Sequence, residues 1–207
     1  QLAARHYELE RFLPGEALPQ AKQFVGVIAL GEFSRPQLAM LKQLHKPLVV
    51  VDQDVLAEGI TCVVPDFANG IAAIVAYMHK AHFQRVGMIA GVEQTSDGQA
   101  LQDPRRQLFP AAVQAAGYAA PPIYSGAFSV EGGYQAMTQA LADAPLPEAF
   151  FVANDTMAIG AIKALQNAGV QVPEQVSVIG FNDLAIGQYL SPTLSSVHVA
   201  TEAMGMA

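Results

Sequence analysis

The sequence contains very little cysteine and little charge. Cys62 is the only cysteine among 207 residues, which excludes an internal disulfide framework and a zinc site built from cysteines. Charged residues make up 14% of the chain, so long disordered tracts are not expected. No apolar run approaches the ~18 residues that a membrane-spanning helix needs. A reducing cytoplasm fits this composition, and no membrane contact is predicted.

Positive charge is scarcer than negative charge. The chain has 11 Lys and Arg residues against 18 Asp and Glu residues, a net charge of −7. Because affinity for a phosphate backbone comes from Lys and Arg, we do not expect the chain to bind DNA by itself. The first residues, QLAARHYELERF, are interrupted by charges and are not followed by an apolar segment, so they do not predict a signal peptide.

Hydrophobic residues make up 52% of the chain and are arranged as short apolar strands that alternate with helical patterns. Continuous Val- and Ile-rich strands separated by helices predict an α/β fold with parallel sheets covered by helices on both faces. The stretch most typical of a linker is 13–22. The predicted strands are 24–31, 47–52, 60–66, 85–91, 122–126, 149–154 and 176–183, and the predicted helices include 35–45, 104–117 and one ending at Gly169.

Four residues of suitable chemistry lie where predicted strands end. Asn154 and Asn182 follow apolar strands, Arg105 opens a helix after strand 85–91, and Phe128 lies between a strand and a helix. Ligands of parallel sheets bind beyond the carboxyl ends of the strands, so these residues are predicted to share one cleft. Two amides, a guanidinium and an aromatic face suit an uncharged sugar.

The Asn154-Asp155 pair leaves two interpretations open. In the first, Asp155 or Thr156 caps the following helix and Asn154 is free to face a ligand. In the second, Asn154 and Asp155 are both caps and neither contacts a ligand.

Other patterns favour neither a metal site nor a catalytic site. His79 and His82 have the spacing of half a metal site but no third ligand nearby, so a solvated helix end is preferred and no metal or cofactor is predicted. Segment 161–180 is similar to a helix-turn-helix, yet its second half is β-branched and lacks basic residues, which favours a strand. Asp52 and Asp54 could form a pair of catalytic acids, but a cleft wall followed by a turn is preferred. Phosphate-loop and nucleophile-elbow motifs are absent.

The stretch FFVANDTMAIGAIKALQNAGVQVPEQVSVIGFND, followed by LSPTLSSVHVATEAMG, resembles the effector-binding core of the lactose/galactose repressor family of bacterial transcription regulators. The resemblance extends from about residue 24 to residue 207 and is most specific in the last third. It implies a two-lobed periplasmic-binding-protein-like fold, an effector between the lobes, a homodimer and an N-terminal helix-turn-helix. We expect the N-terminal lobe at 1–64 and 197–207, and the C-terminal lobe at 65–196. The helix-turn-helix, the first strand and helix of the core, and its last elements are expected to lie outside this chain.

The resemblance also implies site residues. Arg105 falls on the sugar-contacting arginine of the family's R-x-x-G-F motif, and Asn154 on the contacting asparagine of A-N-D. Asn182 falls on the first position of F-D-D, and Phe128 on the aromatic residue of G-D-[WF]-S. Asp52 falls on a strand-end carboxylate at the cleft wall.

Two residues depart from the family pattern. Leu108 replaces the glycine of R-x-x-G-F, and Asn182 replaces an aspartate, which removes a negative acceptor and adds a donor. The segments G-E-F-S-R and G-A-F-S resemble galactoside-responsive members of the evolved β-galactosidase repressor type. The resemblance therefore indicates galactose or a β-galactoside as the effector.

We predict the sugar-sensing domain of a cytoplasmic regulator that contacts operator DNA only through the absent helix-turn-helix and is not an enzyme. One alternative is the periplasmic sugar-binding protein of a transporter, which would share the fold but be secreted and monomeric. The other alternative is a sugar-modifying α/β enzyme.

Overall fold

The computed structural model describes residues 8–12 and 24–207, and the chain divides into two compact units. The predicted linker at 13–22 falls outside the described residues. The first unit comprises Gln1–Pro65, Gln94–Leu101 and Ala200–Ala207, and the second comprises Asp66–Glu93 and Gln102–Val199. The lobe boundaries given above stay a prediction.

The first unit contains a sheet of three parallel strands. Its order is β1 (Val27–Leu30), β2 (Leu48–Val51) and β3 (Thr61–Val63). Helix α1 (Arg35–Gln43) connects β1 to β2, a short 3-10 helix (Leu56–Glu58) precedes β3, and α6 (Thr201–Met204) lies near the end of the chain. A small core of Ala29, Leu38, Val50, Val55 and Ile60 holds this unit together.

The start of α1 is bonded to the segment 94–101. Ser34 and Gln37 form a capping box, in which each side chain accepts a hydrogen bond from the other residue's backbone N–H. Ser34 Oγ donates to Asp97 Oδ2 over 2.6 Å, and the Thr95 hydroxyl donates to the other oxygen of Asp97. These two hydrogen bonds hold the pKa of Asp97 below its usual value.

The second unit contains a sheet of five parallel strands in the order β5-β4-β6-β7-β8. The chain alternates strands with helices, as parallel pairing requires. The elements are α2 (Phe67–Lys80), β4 (Val86–Val92), α3 (Pro104–Ala115), β5 (Ile123–Ala127), α4 (Val130–Ala142), β6 (Ala149–Val152), α5 (Asp155–Asn167), β7 (Ser177–Asn182) and β8 (Ser195–His198), with a short 3-10 helix at Ala185–Tyr189.

Both faces of the five-stranded sheet are buried. Phe150 and Val152 of β6 join a core cluster with residues of α4 and α5. Phe151, between them, points to the opposite cluster with residues of α2 and α3. This arrangement explains why the strands read as continuous apolar runs, and it confirms the predicted α/β class with helix-covered parallel sheets.

The observed element boundaries agree with the predicted ones at some elements and differ at others. Helix α3 ends at Ala115, and Gly117 follows its cap with a φ of 90°, the left-handed conformation that glycine commonly adopts after a helix. The strand predicted at 60–66 is shorter, Thr61–Val63. The second half of the stretch similar to a helix-turn-helix is strand β7, as predicted.

Among residues 8–12 and 24–207, no helix is long and apolar enough to span a membrane. No group of three or more His, Cys, Asp and Glu residues within them could hold a metal ion.

Candidate functional site

The candidate site lies at one edge of the five-stranded sheet of the second unit. Since all its strand pairs are parallel, the carboxyl ends of β4, β5, β6 and β7 meet at the same edge. The sequence places Phe128 directly after β5, Asn154 two residues after β6, and Asn182 at the end of β7. Arg105 lies in the first turn of α3, the helix that follows β4.

Arg105 is held by two acceptors. Its Nε donates to Oδ1 of Asp103 over 2.7 Å, and its Nη1 donates to the backbone oxygen of Ala153 over 2.7 Å. Asp103 is the N-cap of α3 and also accepts from the Arg105 backbone N–H. The Asp103 side chain is buried, at 5% exposure, and the Arg105 side chain is mostly covered, at 13% exposure. Nη2 meets no acceptor among the described residues, so its two N–H groups are available to a ligand.

Three aromatic rings surround the Arg105 guanidinium. Its Cζ lies 5.1 Å from the ring centroid of Phe67 and 5.4 Å from those of Phe128 and Phe181. These distances fit cation–π contacts, which favour a guanidinium fixed in one orientation. Phe67 and Phe181 are also stacked on each other, with their centroids 5.8 Å apart.

The position of Phe128 depends on Gly91 near the end of β4. A Cβ at Gly91 would lie 2.0 Å from Cζ of the Phe128 ring, a distance that no side chain could occupy. The ring therefore rests directly on the backbone of β4, where it reaches Arg105.

Asn154 caps helix α5 itself, which corrects the first interpretation of the Asn154-Asp155 pair. Its Oδ1 accepts a hydrogen bond from Met157 N over 2.8 Å, as an N-cap residue does. The assignment of this cap to Asp155 or Thr156 was therefore wrong. The amide nitrogen of Asn154 meets no acceptor among the described residues, so it can still donate to a ligand.

Asp155 connects three segments of the second unit from a fully buried position. Its Oδ2 accepts from Leu184 N and its Oδ1 from the Ser196 hydroxyl, both over 2.6 Å. Burial raises the pKa of Asp155, while these two hydrogen bonds act in the opposite direction. The carboxylate thereby fixes the turn that follows Asn182.

Asn182 has an unusual backbone conformation. Its φ is 108°, and Asp183 after it has a φ of 58°, so two residues without the freedom of glycine occupy the left-handed region. Asp183 N donates to Ser196 Oγ and Leu184 N to Asp155, which holds the turn in place. Neighbouring hydrogen bonds therefore stabilise this strained backbone conformation of Asn182 and Asp183, as is typical of functional sites.

The remaining sequence-predicted residues are Asp52 and Leu108. Asp52 belongs to the first unit, where it follows β2 with a φ of 80°. Its part in a shared cleft stays a prediction. Leu108, at the position of the family's glycine, is half-buried and packs against the core cluster of α2 and α3.

Sequence reasoning missed Asp103, Phe67 and Phe181. The residues Asp103-Pro104-Arg105 carry a usable signal, because an aspartate before a proline is typical of a helix N-cap and points to the neighbour of the arginine. The two phenylalanines carry no such signal. Each looks like a core residue, and only the fold brings them to Arg105.

Comparison with known proteins identifies the family. Residues 75–207 match the family model described as a periplasmic binding protein-like domain. The HTH-type transcriptional regulator GalR of Streptococcus thermophilus is 37% identical over 202 residues, which are 96% of this chain and 61% of that protein. GalR of Lacticaseibacillus casei is 40% identical over 184 residues, 87% of this chain and 56% of that protein. A crystal structure of a regulatory protein of LacI family from Chloroflexus aggregans has 27% identity and a TM-score of 0.75, and the match covers 89% of this chain and 66% of that one.

The chain belongs to the lactose/galactose repressor family. It spans between 56% and 61% of the length of the two GalR proteins. Its relatives in this family are transcription regulators and not enzymes, in agreement with the sequence prediction. The match to the periplasmic binding protein-like model also supports the predicted fold.

Proposed function

We propose that this chain is the sugar-sensing core of a bacterial transcription regulator, most simply a repressor. Its effector is a small uncharged carbohydrate, and galactose or a β-galactoside is the first candidate. The regulators named GalR among its relatives support a transcriptional role. The observation that carries the sugar proposal is Arg105, which is fixed by two acceptors and three rings while Nη2 stays available.

The groups that we propose for this site suit a polyol. Hydroxyls can accept from Nη2 and from the amide nitrogen of Asn154, and the Asn182 amide can both donate and accept. An aromatic face such as that of Phe128 packs against the apolar C–H face of a sugar ring. In this proposal Asp52 contributes a further carboxylate, and the chain forms an N-terminal lobe at 1–64 and 197–207 and a C-terminal lobe at 65–196.

Sugar binding would regulate DNA binding by changing the balance between lobe conformations. A ligand shifts such a balance only if it binds the two conformations unequally. In the proposed homodimer this bias passes to N-terminal helix-turn-helix segments outside this chain, which contact the operator. The site of action is then the cytoplasm.

The periplasmic sugar-binding protein is the alternative function. It shares the family model, whose description covers periplasmic binding proteins. The two GalR relatives favour the regulator, because each is a helix-turn-helix regulator that matches at least 87% of this chain.

The replacement Arg105→Ala tests the site. We expect it to weaken binding of the cognate sugar by about 1–3 kcal/mol, because ligand hydroxyls lose a fixed donor. The measurement is isothermal titration calorimetry, after a thermal-shift screen of galactose, β-galactosides and glucosides has identified the ligand. A sugar at about 100 times its dissociation constant should stabilise the chain by roughly 2.7 kcal/mol.

Arg106→Ala is the matched control. Arg106 is the next residue of the same helix, is exposed, and donates to Ser125 Oγ over 2.5 Å. Equal affinities of the Arg105→Ala variant and the unmodified chain would remove Arg105 from the site. An equal loss in both variants would point to a nonspecific effect on α3.

A further inference from the structure

The carboxylate of Asp103 has one oxygen that the fold does not satisfy. Its Oδ1 accepts from the Arg105 backbone N–H over 3.0 Å and from Arg105 Nε over 2.7 Å. Its Oδ2 is buried and has no hydrogen-bond partner among the described residues. The side chain is only 5% exposed, so water compensates little for the missing bond.

Helix capping does not explain a charged residue at this position. Serine, threonine and asparagine cap a helix about as well as aspartate does, and none of them buries a charge. A buried carboxylate oxygen without a partner is unfavourable for folding. The feature that an aspartate adds here is a negative charge 2.7 Å from the Arg105 guanidinium.

We propose that Asp103 is a specificity-determining residue that neutralises Arg105, so that the site accepts uncharged carbohydrates and rejects anionic ones such as sugar phosphates and uronic acids. This inference rests on the proposed sugar-sensing function and deepens it. Asp103 does not contact the ligand, since its free oxygen is buried, and it acts through the arginine.

An arginine without a partner carboxylate would favour the opposite class of ligand. The guanidinium fork binds phosphates and carboxylates through two parallel hydrogen bonds and a full positive charge. Here Nε already donates to Asp103, and Nη1 donates to Ala153 O. An anion bound to Nη2 therefore cannot form the second, parallel hydrogen bond with Nε.

The surroundings of Arg105 reinforce the exclusion of anions. The three rings stabilise the guanidinium by their quadrupoles without supplying a counter-ion that a ligand anion could displace. An anion on Nη2 would also lie a few ångströms from the Asp103 carboxylate, in a buried environment where like charges repel strongly. Neutral hydroxyls meet no such repulsion.

The replacement Asp103→Asn tests the proposal, because asparagine keeps an oxygen for the cap and for Arg105 Nε while removing the charge. The probes are galactose, galactose 6-phosphate, galacturonate and inorganic phosphate, titrated calorimetrically at neutral pH and low salt. We expect the unmodified chain to bind galactose at least roughly tenfold more tightly than either anionic sugar, and to show no phosphate binding. In the variant, affinity for the anionic probes should rise by roughly tenfold or more, and phosphate binding should appear.

Asp66→Asn is the matched control. Asp66 is the N-cap of α2, where it accepts from Asn69 N, so this variant loses the same charge at an equivalent helix position. Its ligand preference should equal that of the unmodified chain. If Asp103→Asn does not fold, as judged by its thermal melt, Asp103→Ser supplies an uncharged cap for the same titrations.

The outcomes separate the two proposals. Rejection of phosphate and of anionic sugars by a folded Asp103→Asn chain would overturn the role of Asp103, as would tight binding of a sugar phosphate by the unmodified chain. If the unmodified chain binds none of the sugars in a wide screen, the proposed function fails. The inorganic phosphate titration still reports on Asp103 in that case, because it needs only Arg105.

Discussion

At the scale of single residues, Asn154 and Asp155 show how two adjacent polar side chains divide their roles. Asn154 is the helix cap and keeps its amide nitrogen available, whereas Asp155 is buried and holds the turn after β7. A carboxylate can accept several hydrogen bonds, so one residue can connect the start of α5 to Leu184 and Ser196. The position of Asn182 therefore depends on a side chain that follows a different strand.

The raised pKa of Asp155 leads to a prediction about pH. A group with a higher pKa in the folded state favours folding when protonated, so its contribution to stability falls as the pH rises from the usual value of 3.8 through the folded-state value. The reference protein for this prediction is the variant Asp155→Asn, because the amide of asparagine does not titrate. The difference in free energy of unfolding, unmodified minus variant, should decrease over this pH range and level off above it.

Urea unfolding from about pH 4 to pH 8 measures this difference, and the other carboxylates cancel between the two proteins. A difference that increases with pH would mean that the two hydrogen bonds outweigh burial and that the pKa is lowered. At neutral pH the free energy of unfolding of the variant should also be lower by roughly 1–3 kcal/mol, because asparagine has one side-chain oxygen and leaves Leu184 N or the Ser196 hydroxyl without its acceptor.

At the scale of secondary-structure elements, the contact between α4 and α5 depends on glycine. A Cβ at Gly160 of α5 would lie 1.9 Å from the backbone oxygen of Val130, and a Cβ at Gly133 of α4 would lie 2.0 Å from that of Met157. The two helices therefore meet backbone to backbone beside the strand ends. Any side chain at these positions would push α5, and with it Asn154, away from α4.

We expect Gly160→Ala to destabilise the chain although alanine has the higher helix propensity. The propensity gain is about 1 kcal/mol, whereas overpacking against rigid backbone typically costs about 1–3 kcal/mol and more when neither helix can move. Thermal and urea unfolding measure the net change. Gly205→Ala is the control, since the nearest atoms to its Cβ would be 3.6 Å away and its φ is −76°. A Gly160→Ala chain as stable as this control would show that the contact between the helices is loose.

The sequence predicted most elements well because each depends on local patterns. Strand β6 and helix α5 are recognisable from an apolar run and from apolar residues at helical spacing. The caps were harder to assign. Whether Asn154 or Asp155 binds the free N–H groups of α5 depends on where the turn places each oxygen, which residue type alone does not decide.

At the scale of the whole molecule, charge limits what this chain binds. With a net charge of −7 it should not bind duplex DNA at about 0.15 M salt, whether or not sugar is present. Fluorescence anisotropy with a labelled duplex measures this, and a protein with a basic helix-turn-helix serves as the positive control. Saturable binding that weakens as salt increases would contradict the assignment of DNA contact to a segment outside this chain.

The sequence by itself determined the α/β alternation, the parallel sheets and the family, because apolar periodicity and the order of motifs are properties of the chain read locally. It also identified Arg105, Asn154, Asn182 and Phe128 as residues at strand ends. Only the tertiary structure decided what surrounds Arg105: the three rings, the oxygen of Ala153 and the buried carboxylate of Asp103. Those partners come from separate strand–helix units, and their meeting follows from strand order and helix packing, which no local pattern encodes.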